Sequence, residues 1–130
     1  MLLKRAGSRW GISVIYLLWL CSLASVVYLS LKPSPEVPDL FWNADKVIHC
    51  LAYLWLALLP AFVVKPPQRL VLVCVGLFLL GVTLEFGQMY IPGRTFSLAD
   101  MGANGIGVGL GFSIGKRVAA HGLFKFFLKI

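Results

Sequence analysis

Glu85 is a carboxylate inside the apolar run "LFLLGVTLEFGQMYI". Other groups able to do chemistry recur around it at helical spacing. Asp45, His49 and Tyr53 are four residues apart, so they share one face of a helix. Glu85 and Gln88 are three apart, and Asp100 and Asn104 four apart; each pair shares a face. Lys46 follows Asp45, and Arg94 lies in the short "YIPGR" connection. His49 could serve as a general base, with Glu85 or Asp100 as acid or orienting carboxylate. Lys46 and Arg94 could hold a phosphate, Arg94 through paired N–H groups. Asp, His and Glu are also ligand types for a divalent cation. No compact signature such as H-E-x-x-H occurs, however, and neither a metal nor a cofactor is expected. No nucleophilic Ser or Cys stands beside His49, since Cys50 points to a different face, and an enzyme is the less favoured reading.

Each of these residues also has a plain structural role open to it. Asp45 suits the N-terminal dipole of its helix. Ser97-Leu98-Ala99-Asp100 has the pattern of a capping box. His49, Tyr53 and Asn104 suit hydrogen bonds between helices. Glu85 and Arg94 are harder to explain by packing, because a buried ion pair is seldom a net stabiliser. The spacing predicts Glu85 paired with Arg94.

The elements that must position these groups follow from composition. Of 130 residues, 59% are apolar and only 13% charged, too unbalanced for an ordinary water-soluble domain. Four apolar runs predict a single all-α membrane domain over 1–130, with helices over about 10–31, 45–64, 70–91 and 98–115. Backbone groups in lipid must be satisfied internally, which favours helices over open strands. Pro66-Pro67 and Pro92-Gly93 break the chain between helices, and Asn43 is the expected N-cap of the second. Phe41 and Trp42 suit the headgroup level, and the Phe- and Lys-rich tail over 118–130 suits the membrane interface. Ala103, Gly107, Gly111 and Gly115 make a small-residue stripe for close helix packing, within the bundle or in a homo-oligomer. Cys21, Cys50 and Cys74 fall on three helices and suggest neither a disulfide nor a zinc site.

Charge supplies the orientation. Lys4, Arg5, Arg9, Lys65, Arg69, Lys116, Arg117, Lys125 and Lys129 fall on one side, and Lys32, Lys46 and Arg94 on the other. The positive-inside rule then places both termini in the cytoplasm of a multi-pass cell-membrane protein. The net charge of +7 is therefore a topology signal, and no nucleic-acid partner is expected. Glu85 lies six residues before Ile91, about 9 Å below the outer end of its helix. An unpaired charge well inside the bilayer costs about 2.5–3.5 kcal/mol on insertion scales, so the polar residues of three helices are expected to cluster away from lipid.

The segment "DKVIHCLAY" followed by "LEFGQMYIPGRTFSLADMGANGIGVGLG" resembles the VanZ-like family of small membrane proteins. The resemblance rests on Asp45-Lys46, His49, Tyr53, Glu85, Gln88, Pro92, Arg94, Asp100, Asn104 and the glycines that follow, across roughly half the chain. It implies a multi-pass membrane protein of the cell envelope. The family's namesake is associated with low-level resistance to the glycopeptide teicoplanin; the resemblance supplies no reaction. The expected function is the binding of an envelope lipid, either a phospholipid headgroup or a lipid-linked cell-wall precursor. The alternatives are a structural or partner membrane protein and an enzyme acting on a lipid-linked substrate.

Overall fold

The computed structural model describes residues 2–33 and 43–121, with side chains from residue 10 onward. The described residues are all helical: α1 (Leu2–Leu31), α2 (Ala44–Leu58) with a 3-10 turn continuing it (Leu59–Phe62), α3 (Pro67–Gln88) and α4 (Leu98–Ala120). Three stretches are long and apolar enough to cross a membrane: Trp10–Leu31, Ala44–Phe62 and Pro67–Gln88. α4 is comparably long at 23 residues, but Asp100, Asn104 and its glycines dilute its apolar character below that class.

The helix ends differ from the pattern-based expectation for identifiable reasons. The second helix tightens after Leu58 because Pro60 has no N–H to give the carbonyl of Leu56. That carbonyl accepts instead from the indole N–H of Trp19 on α1, at 2.8 Å. α3 starts earlier than expected because Pro67 fits the first helical position. It also ends earlier, at Gln88, where Met89, Tyr90 and Ile91 turn back with N–H bonds to the third residue before each. α4 runs past Gly115 to Ala120, so the first residues assigned to an interfacial tail are helix. Residues 122–130, together with Phe41 and Trp42, lie outside the described residues. Asn43 does precede α2, but in a left-handed conformation and without a side-chain cap bond.

The close contact in the bundle is α4 against α2. Ala103, Gly107, Gly111 and Gly115 are all buried. A Cβ on Gly107 would collide with the carbonyl oxygen of Cys50, and one on Gly111 with that of Leu54. One on Gly115 would lie 2.5 Å from Cβ of Ala61. The small-residue stripe is therefore used within the chain, backbone against backbone, as in other tightly crossing membrane helices. Tyr53, Leu56, Ala57, Ala61, Leu70, Cys74, Leu77 and Val108 form the apolar core beside this contact.

α1 lies at the margin: only 6% of its apolar window is buried, against 33% for α2 and α3. Polar bonds between helices hold it. Besides Trp19, Trp55 on α2 donates its indole N–H to Ser22 Oγ at 3.0 Å. Bonds of this kind between membrane helices average about 0.6 kcal/mol each.

The glycine contact makes a direct prediction. Gly111→Val should destabilise the bundle by about 1–3 kcal/mol through overpacking against α2. Gly109 has open space at its Cβ position, and Gly109→Ala should lie within about 0.5 kcal/mol of the parent. Unfolding of the two variants in detergent checks the difference; equal effects would contradict the α2–α4 contact.

Candidate functional site

Four polar side chains from two helices, α3 and α4, are buried: Glu85 (1% exposed), Gln88 (3%), Asp100 (6%) and Asn104 (2%). His49 on α2 joins them. Its Nδ1 lies 3.0 Å from Asn104 Oδ1 on α4. The amide oxygen can only accept, so the contact is a hydrogen bond in the tautomer with the proton on Nδ1, which leaves the Nε2 lone pair free. The glycine stripe sets this distance, because Gly107 lies one turn after Asn104 on the face pressed to α2.

Glu85 is anchored by the start of α4. Its Oε1 accepts the backbone N–H of Ser97 at 2.7 Å. Ser97 Oγ in turn accepts the N–H of Asp100 at 3.2 Å. The expected capping box is thus half formed. The arm that Asp100 would have extended to the Ser97 N–H is taken by Glu85, which leaves the Asp100 carboxylate for other partners. Lys46 Nζ lies 2.7 Å from Asp45 Oδ2 and 3.3 Å from Asp100 Oδ1. The longer contact is ionic without hydrogen-bond geometry, so the buried Asp100 Oδ1 has no hydrogen bond among the described residues. Asp45 is largely exposed, and its pairing with the neighbouring Lys46 is a surface contact of little energetic weight.

The expected pair of Glu85 with Arg94 is not formed. Arg94 donates from Nη2 to the carbonyl of Leu29 at 2.6 Å and from Nε to that of Lys32 at 3.2 Å. Gln88 Nε2 donates to the carbonyl of Ser30 at 3.2 Å. The physical reason is that the last carbonyls of a helix have no intrahelical donor. Here α3 and the following loop satisfy those of α1, while Glu85 is held by Ser97.

The residues expected to cluster therefore divide in two. His49, Glu85, Asp100 and Asn104 form an inner group, with Lys46 and Asp45 at its rim. Gln88 and Arg94 strap α1 to the bundle. Between the two lies a cavity of about 150 Å³ lined by Val26, Leu29, Ser30, Ile48, His49, Ala52, Tyr53, Gln88 and Arg94. Tyr53 is 2% exposed, and its hydroxyl has no hydrogen-bond partner among the described residues. A second cavity, of about 330 Å³ between α3 and α4, is lined by Val71, Cys74, Val75, Phe78, Gly105, Val108, Gly109 and Phe112 and offers nothing to hold a charge.

The sequence singled out Ser97 as a helix cap, but not its backbone N–H as the partner of Glu85, and Gly81 not at all. A Cβ on Gly81 would lie 2.9 Å from Asn104 Nδ2 and 3.0 Å from the Tyr53 hydroxyl, so the glycine makes room for both. Its signal was its place one turn before Glu85 on the same face. Ser97 acts through its backbone N–H, which no side-chain pattern reveals. Comparison with models of protein families, with curated proteins and with solved structures finds no match for this chain.

The bond from Ser97 to Glu85 is testable by paired substitutions. Glu85→Gln keeps an oxygen acceptor, whereas Glu85→Ala strands a buried N–H at a cost of about 1–3 kcal/mol. Thermal unfolding in detergent should rank parent, Gln and Ala in that order. An alanine variant as stable as the glutamine variant would contradict the bond.

Proposed function

We propose that this chain is a four-span membrane protein with both termini in the cytoplasm, and that its polar site binds a phospholipid headgroup at the outer face. The observation that carries this reading is the cavity lined by His49, Tyr53, Gln88 and Arg94, beside buried polar atoms that lack hydrogen bonds. Arg94 and Gln88 bring donors to it, and its remaining walls are apolar, as suits a group that is polar at one end and lipid at the other. The excess of Lys and Arg at the opposite helix ends supports the outward orientation. α4 crosses with the others because its polar residues are turned to α2 and α3.

Size narrows the ligand. Pockets for drug-sized ligands measure about 300–1,000 Å³. A cavity of about 150 Å³ takes one small polar group, a phosphate or an amine, but not a lipid-linked disaccharide. The VanZ-like resemblance makes the cell envelope, and teicoplanin susceptibility, the place to read a phenotype. A structural role is favoured by one observation, that Arg94, Gln88 and Glu85 each have a partner within the chain. It predicts that any phenotype of a site variant follows protein abundance.

Lipid co-purifying with the protein, identified by mass spectrometry against the bulk membrane, tests the headgroup reading. One phospholipid class should be enriched in the parent. Ala52→Phe, which fills the cavity without removing a polar group, should cut that enrichment about tenfold, equivalent to about 1.4 kcal/mol. No enriched class in the parent, or unchanged enrichment in Ala52→Phe at equal abundance, would refute it.

A further inference from the structure

We propose that His49, Glu85 and Asp100 form a divalent-cation site of the Zn²⁺ class, bridging α2, α3 and α4. One ring nitrogen of His49 and one carboxylate oxygen each from Glu85 and Asp100 lie within 4.8 Å of one another. Ligands of a tetrahedral Zn²⁺ with bonds of about 2.1 Å stand about 3.4 Å apart. Closing the set therefore takes side-chain movements of up to about 1.4 Å, within reach of carboxylate rotation.

Three further observations point to an ion. First, Asn104 Oδ1 lies 3.0 Å from His49 Nδ1, and a proton on Nδ1 leaves the Nε2 lone pair to give. Metal-binding histidines carry this outer bond to an oxygen acceptor, which fixes their tautomer and orientation. Second, the charges do not balance. Glu85 and Asp100 are both buried, Lys46 is shared between Asp100 and the exposed Asp45, and Arg94 is committed to the carbonyls of α1. Glu85 thus has no paired cation and Asp100 only a shared one; poorly paired buried carboxylates are costly, and a divalent cation answers both. Third, Asp100 Oδ1 is buried without a hydrogen bond.

One imidazole with two carboxylates suits first-row divalent ions such as Zn²⁺ or Mn²⁺, whereas Ca²⁺ takes six to eight oxygens. The three ligands come from three helices, so the chain has no compact linear signature for them. Lys46 is the competing cation: an ion on Asp100 displaces it to Asp45, its nearer partner.

The test uses the full chain, delipidated in detergent, loaded with Zn²⁺, desalted and measured for bound metal. About one ion per chain is expected, as for a single three-ligand site. Asn104→Ala should weaken Zn²⁺ binding about 10–100-fold, and Asn104→Asp, which keeps the oxygen acceptor, should restore it. Lys46→Met should tighten binding, and Asp45→Asn should leave the stoichiometry unchanged. Helical circular dichroism and gel filtration confirm that each variant is folded. Parent protein that retains no Zn²⁺, or Asp45→Asn losing the ion as fully as Glu85→Gln, overturns the proposal. Metal-free protein that still carries its lipid does so while leaving the headgroup reading standing.

Discussion

The approach of α4 to α2 governs the rest of this molecule. Gly107, Gly111 and Gly115 bring two backbones together where any side chain would hold them apart. One turn before Gly107, the same approach sets Asn104 against His49; another turn earlier it sets Asp100 near Lys46. Packing and polar chemistry are thus one structure. A bundle with side chains in that seam would separate His49 from α4 by several ångströms and open the cluster to lipid.

The start of α4 adds a second constraint. A helix N-terminus has donors to satisfy, and Ser97 meets those of Asp100 and Met101 with its hydroxyl and carbonyl oxygens. The N–H of Ser97 is met by Glu85 from α3, so a carboxylate costly in so apolar a helix is held by the start of the next one. Asp100 is released from capping as a result. Arg94 and Gln88 perform the mirror task for α1, taking the carbonyls that its last turn leaves unpaired. Both helix ends are completed by side chains from the α3 end and its loop, so the polar residues there are concentrated for two separate reasons.

Much of this was legible in the sequence, because helix periodicity and membrane composition are strong signals. The all-helical class follows from composition, the packing role of the glycine stripe from spacing, and the clustering of His49, Glu85, Asp100 and Asn104 from spacing together with the cost of burying charge among apolar helices. The partners did not follow. Side-chain charge suggested Glu85 with Arg94, but the competing groups were backbone atoms, the N–H of Ser97 and the carbonyls of Leu29 and Lys32. Backbone donors and acceptors are present at every residue, so nothing in the letter code marks which are unpaired. Pro60 is the partial exception: its missing N–H frees a carbonyl, and Trp19 fills it from 37 residues away.

The central claim, that α4 sets Asn104 against Nδ1 of the His49 ring, is tested most directly by which ring nitrogen carries the proton. Nitrogen-15 spectra of histidine-labelled protein in micelles, with His121→Gln to leave one signal, report it. A proton on Nδ1, slow to exchange and losing that protection in Asn104→Ala, is the predicted result. A ring protonated on Nε2 alone, or one exchanging freely with water, would contradict the account.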